Sequence, residues 1–310
     1  MFWGGANGAR PAAAEAGAGP VIEETAVTAT PDDQPNLAQV EYWNATAGET
    51  WARFQDQLDR QLAPLGLEAI QALAVTPGDS LIDVGCGCGH TTLDLARRVG
   101  PEGTVLGVDI SQPMLEVARR RAEATPDLTV SFREADVQTA DLGTSVFDAA
   151  FSRFGVMFFS DPPAAFTNLR RSLKPGGTLG FVCWRAFAEN PWMGAPLAAA
   201  LPFLPEPEPV DPLAPGPFAF ADAGRVRTIL TEAGFTAIDI RPHDTQIGGG
   251  DVEEALQLAF RVGPLGAALR EDPSRAGLIA DAVRGVLEAH LTPQGVLMPA
   301  AVWIVTARCA

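Results

Sequence analysis

The chain is short of positive charge. Lysine and arginine total 22 against 38 aspartates and glutamates, a formal net charge of −16 over 310 residues. Nucleic acid demands a positive footprint, so no nucleic-acid partner is expected. The same balance disfavours an anionic membrane surface. No window supplies the ~18 apolar residues that a membrane span needs. The start, MFWGGANGAR, lacks the charged-then-apolar order of a secretion signal. Cysteine is scarce too: Cys86, Cys88, Cys183 and Cys309. Cys86 and Cys88 are one residue apart with no second pair, so no tetrahedral zinc site and no metal are expected. Reduced thiols and a cytoplasmic location follow as the default reading. Histidine is limited to His90, His243 and His290.

Apolar residues make up 47% of the chain, enough for a full core without disulfides. Residues 1–35 are rich in Ala, Gly, Pro and acids without periodicity and read as a disordered lead. Residues 36–310 read as one domain. It opens with a helical lid, 36–75, in which Trp51, Phe54, Leu58 and Leu62 recur at helical spacing and Pro64 is expected to interrupt. From Ser80, strands alternate with helices: SLIDVG, TVLGVDIS, TVSFREAD, FDAAFSRF and TLGFVCW. Ser111 is placed to cap the helix after the second strand. That alternation implies an α/β, doubly wound, mostly parallel sheet. TAIDIRP and AVWIVTA bring the strand count to seven. A proline-rich loop is expected over 185–222, irregular from 191 to 217, and a two-helix insert over 248–300.

The stretch DVGCGCGH, 83–90, sits where the first strand ends. A dinucleotide fingerprint wants G-x-G-x-x-G, and its third glycine would fall on His90. A Walker loop needs a lysine, and none stands between Ser80 and Arg97. Asp83 would repel a pyrophosphate and attract a cation, while the glycines let backbone approach a ligand closely. A nucleoside with positive charge and no phosphate fits, and S-adenosylmethionine is one. Asp109 closes the second strand, where an acid can accept from ribose hydroxyls. Asp136 closes the third, where it can accept from an adenine amine.

With LIDVGCGCG, GTVLGVDISQPML, FREADVQ, FDAAFSRFGVMFF and LRRSLKPGG in order between 81 and 177, the sequence resembles the class I S-adenosylmethionine-dependent methyltransferases. It looks most like the small-molecule branch that includes the ubiquinone and menaquinone enzymes. The resemblance implies a Rossmann-like seven-stranded sheet with the last strand antiparallel. It implies that Asp83, Gly85, Gly87 and Gly89 surround the methionine part of the cofactor and that Asp109 holds the ribose. Ile110 and Met114 would lie near the adenine, with Asp136 and Val137 in contact with it. Ser152, Arg153 and Phe154 end the fourth strand, where such enzymes place cofactor or substrate contacts. Arg153 is unusual beside a cationic ligand and is expected to pair with a carboxylate, the cofactor's or the protein's. Trp43 is the aromatic lid candidate.

The acceptor pocket is expected from the variable parts, with Trp184, Arg185, Asn190, Trp192 and Phe218 on its walls and a small, apolar acceptor inside, to be methylated at O, N, C or S. Methyl transfer needs orientation and desolvation first and a base only if the nucleophile arrives protonated. His90 and His243 are the weak base candidates. A homodimer is left open. The rivals are an NAD-dependent oxidoreductase, which Asp83 and His90 disfavour, and a non-catalytic cofactor-binding sensor, which the intact loop and acids disfavour.

Overall fold

The computed structural model describes residues 36–205 and 211–310. The lead expected at 1–35 lies outside the described residues, as does the short run 206–210 of the proline-rich loop. Three helices open the described chain: α1 (Leu37–Asn44), α2 (Thr46–Arg53) and α3 (Gln55–Leu73). The alternating part follows as β1 (Ser80–Val84), α4 (His90–Val99), β2 (Thr104–Asp109), α5 (Gln112–Glu123), β3 (Val130–Glu134), β4 (Phe147–Arg153), α6 (Pro162–Ser172) and β5 (Leu173–Trp184). Then come α7 (Pro191–Ala200), α8 (Ala223–Glu232), β6 (Phe235–Gly248), α9 (Val252–Ala259), α10 (Gly263–Glu271), α11 (Ala276–Glu288), β7 (Leu291–Thr292) and β8 (Gly295–Cys309).

The strands lie in the order β3-β2-β1-β4-β5-β8-β6. The five strands β1 to β5 pair in parallel, and β8 runs antiparallel between β5 and β6. The seven expected strands are present with the last one antiparallel, and the short β7 adds a hairpin onto β8. Leu81, Ile82 and Val84 are all buried, as suits a parallel strand covered on both faces. Strand order reverses between β1 and β4. Their carboxyl ends therefore form the switch point at which open sheets of this kind hold ligands.

Four expectations are corrected. The stripe Trp51-Phe54-Leu58-Leu62 is divided between α2 and α3, with Phe54 at the break. Pro64 does not interrupt α3. An interior proline costs about 3 kcal/mol, but Leu62, Leu65, Ile70 and Leu73 are all at most 3% exposed. Each such burial contributes roughly 1.5–3 kcal/mol, so packing wins. The proline-rich stretch from 191 begins as a helix, α7, with Pro191 in the first turn where its missing N–H costs nothing. The insert holds three helices, because α10 follows α9 after a turn at Gly263, where φ is +73°. The hydrophobic faces of α9, α10, α11 and β8 close on a second, smaller core around Leu265, Ile279, Val283 and Met298.

Candidate active site

The loop after β1 takes positive φ at Gly85, Gly87 and Gly89, a region that L side chains enter only with strain. Gly85 is fixed by contact as well. A Cβ there would lie 2.7 Å from the Cα of Gly155, so the loops after β1 and β4 meet backbone to backbone. Ser152 strengthens that junction: its hydroxyl donates to the Val84 carbonyl at 2.8 Å and accepts from the Gly155 amide at 3.2 Å.

Asp83 is fully buried behind this loop. Its Oδ2 accepts from the hydroxyls of Thr91 and Thr92 at 2.8 and 2.7 Å, and its Oδ1 has no partner among the described residues. Burial pushes its pKa up to about 6, against the opposing pull of the two hydroxyls and Arg153. Asp109 accepts from the Gly87 amide through Oδ2 and from the Ser111 amide through Oδ1, both at 2.8 Å. Burial raises its pKa, and these backbone donors restrain the rise. Asp136 takes the Gln138 amide at 2.9 Å.

Beyond the loop lies a cavity of about 730 Å³, within the size range of small-molecule sites. One set of lining residues is Gly85, Gly87, Asp109, Ile110 and Met114, continuing to Asp136 and Val137. A second set is aromatic: Trp43, Phe154, Trp184, Trp192 and Phe218, joined by Trp51 and Phe158. Phe154 is held at φ +64°, strained for a non-glycine residue, and its ring stacks on Trp184 at 4.2 Å and 9°.

Trp43 meets Trp51 and Phe158 edge to face, with centroids 5.8 and 5.1 Å away. Its helix is tied to the turn after β2. Asn44 Nδ2 donates to the Ile110 carbonyl at 2.7 Å, and Asn44 Oδ1 accepts from the Gln112 amide at 2.8 Å. Ser111, expected to cap α5, stands at the N-cap position but gives its hydroxyl to the Trp43 carbonyl at 2.7 Å. The tie between α1 and the turn takes the capping group.

Several expected site residues are not on the cavity wall. Asp83, Gly89 and Ser152 sit behind it. Arg185 is occupied by Asp244 at 2.7 Å and by Glu189, with its guanidinium over the Trp303 ring. Asn190 is fully buried and exchanges two hydrogen bonds with the Ala301 backbone, fastening the start of α7 to β8. Both residues are structural. His243 lies in β6 opposite Val302, away from the cavity. His90 also misses the wall; burial lowers its pKa, and its Nδ1 is 3.4 Å from Arg153 Nη1.

Arg153 does pair with a carboxylate, and it is the protein's own. Its Nη2 donates to Asp59 Oδ1 at 2.9 Å, while Asp59 Oδ2 accepts from Arg121 at 2.7 Å. Asp59 lines the cavity and was not picked out from the sequence. Its signal was position: it follows Leu58 and precedes Leu62 by three residues, on the flank of the buried stripe of α3.

The residues fit S-adenosylmethionine. A buried carboxylate oxygen without a donor lies behind the glycine loop and suits a cationic group. Asp109 keeps lone pairs for the hydroxyls of a sugar, and Ile110, Met114 and Val137 give a base apolar surfaces. Among the described residues the wall has neither histidine nor lysine.

The family model of a methyltransferase domain matches residues 81–177. A 2-phytyl-1,4-naphtoquinone methyltransferase from Trichormus variabilis is 43% identical over 108 residues, covering 34% of this chain and 47% of that protein. The nocamycin O-methyltransferase of Saccharothrix syringae is 29% identical over 240 residues, 73% of this chain and 84% of that one. The crystal structure of the YcgJ protein from Bacillus subtilis shares the fold, with a TM-score of 0.54 at 17% identity over 79% of this chain and 97% of that chain. The chain spans about half the length of the quinone methyltransferase and of other curated relatives it matches.

Proposed function

We propose that the chain is a class I S-adenosylmethionine-dependent methyltransferase of the small-molecule type and that it moves a methyl group from S-adenosylmethionine to a largely apolar, ring-bearing small molecule. One observation carries this reading: a single cavity joins the glycine loop and Asp109 on one side to an aromatic wall on the other. Two guests side by side in one chamber is the arrangement that in-line group transfer requires.

The bound cofactor supplies an electrophilic methyl group with a good leaving group. The chain's own part is to position and to exclude water. Asp109, Asp136 and the backbone of Gly85–Gly87 hold the cofactor. Asp83, behind them, matches its positive charge. Trp43, Phe154, Trp184 and Phe218 confine the acceptor and displace water from the reacting centre. The acids on the wall are engaged: Asp59 by two arginines, Asp109 by two amides, Asp136 by Gln138. No side chain there stands ready as a base, so the acceptor brings a nucleophile that has already given its proton to solvent, such as a phenolate or enolate oxygen. A relative named as an O-methyltransferase, 29% identical over 240 residues, supports oxygen as the atom. The free thiols suit a reducing compartment, and we place the protein in the cytoplasm.

The test is calorimetry with S-adenosylhomocysteine and NADH, followed by incubation with methyl-labelled donor and a metabolite extract. The expected result is binding of the first, none of the second, and a labelled product. NADH binding without a response to S-adenosylhomocysteine would restore the oxidoreductase reading. Donor binding with no labelled product under any condition would favour a sensor.

A further inference from the structure

Three arginines face the cavity: Arg153, Arg261 and Arg270. Arg153 is neutralised by Asp59. The other two have no carboxylate within ion-pair distance among the described residues. What sets these two apart is their place: both line the cavity, where a guest can reach guanidinium groups that no protein carboxylate neutralises. They are also held together. Arg270 Nη1 donates to the Arg261 carbonyl at 3.1 Å, and its Nη2 reaches the hydroxyl of Tyr42, the chain's one tyrosine, at 3.3 Å. Both arginines belong to the turn and helix that the sequence did not foretell, α10 and the residues before it. The wall they share with Trp192 and Phe218 is otherwise aromatic and apolar.

We propose that Arg261 and Arg270 form a subsite for a carboxylate or similar planar anion carried by the methyl acceptor, whose ring lies on the aromatic wall. This rests on the reading of the cavity as a methyltransferase site. Guanidinium groups recognise carboxylates through paired, charge-assisted hydrogen bonds, and the match is sharpest beside apolar surface where water competes poorly. Arg261 has no side-chain partner of its own and offers its whole donor fork. Arg270 is steadied by Tyr42 and by the Arg261 carbonyl, so its remaining donors point from a fixed base. The acceptor class that follows is an aromatic or polycyclic acid with a hydroxyl to be methylated.

The test uses two probes of equal shape, 2-naphthoate and 2-naphthamide, titrated by calorimetry into the full-length protein saturated with S-adenosylhomocysteine. The naphthoate is expected to bind about tenfold to a hundredfold tighter, the range for hydrogen bonds to a charged group. The R261Q/R270Q double variant should lose that preference while holding naphthamide unchanged. Arg261→Gln alone, at an exposed side chain, should lose part of it and keep the wild-type melting temperature. Equal binding of the two probes, or no binding of either, overturns the proposal. So does a loss of S-adenosylhomocysteine affinity in the double variant, which would give the arginines to the donor's carboxylate instead. If wild-type protein binds no S-adenosylhomocysteine at all, it is the methyltransferase reading that has failed.

Discussion

The two walls of the cavity are built in opposite ways. The side proposed for the cofactor is made largely by backbone: Gly85 and Gly87 at positive φ and a close approach of Gly85 to Gly155, with Asp109 and Asp136 beside them and Asp83 and Gly89 behind. Its parts lie between residues 83 and 137, plus the turn after β4. The acceptor wall is made by side chains drawn from α1, the end of β5, α7, the loop near Phe218 and the insert. A backbone-built site tolerates little change, because no rotamer can relieve a clash. A side-chain wall can be resurfaced residue by residue, which lets one cofactor machine serve many acceptors.

That contrast can be tested from both sides. The largest effect is expected from Gly155→Val. Its Cβ would lie 2.7 Å from the Val84 carbonyl oxygen and 2.8 Å from the Gly85 Cα, and neither backbone atom can rotate away. Forcing the loops apart should cost about 3 kcal/mol, roughly a hundredfold in S-adenosylhomocysteine affinity by calorimetry. Wild-type affinity would show that the junction is softer than a backbone-built wall allows.

Asp109→Ala comes next. It strips the acceptor from the Gly87 and Ser111 amides and from the sugar, so binding should weaken by about 1–3 kcal/mol. Asp109→Asn, which keeps an oxygen, should recover part of it. A donor affinity indifferent to both changes would mean that the ribose is held elsewhere.

A smaller, graded effect is expected from pH. The pKa of Asp83 is raised from 3.8 to about 6 by burial. In the free protein its ionised form is therefore penalised above that pH, and its contribution to stability falls as pH rises between the two values. A cation prefers the ionised form, so affinity for S-adenosylmethionine should drop by up to about tenfold per unit as pH falls below about 6 and level off above it. In Asp83→Asn this acid limb should flatten. An unchanged limb would assign the proton to another group.

The mildest change is Phe218→Ala on the acceptor wall. It should raise the acceptor KM by about tenfold, from lost apolar contact, and leave donor affinity within twofold. Equal damage to both would deny that the walls are separable.

This division also explains what could be read in the sequence. The sheet and the glycine loop were legible because local chemistry dictates them: apolar strands ended by acids, and glycines where φ turns positive. Asp109, Asp136 and Trp43 lie at the cavity for the same reason, each fixed by its place at a strand end or on the leading helix. Arg185 and Asn190 were misread because polarity near a strand end does not reveal which carbonyl or carboxylate will claim a side chain. Asp244 and Ala301, their partners, are 59 and 111 residues away. Asp59 was missed for a related reason, since its two arginine partners come from β4 and α5. Pro64 marked a break by local rule and tertiary burial overrode it, whereas Pro191 opens a helix at the one turn where proline is at no disadvantage.

Asn44 gives both ends of its amide to the turn that carries Ile110, one residue past Asp109. The leading helix and the turn beside Asp109 are thus one jointed piece, and any shift of the one carries the other with it.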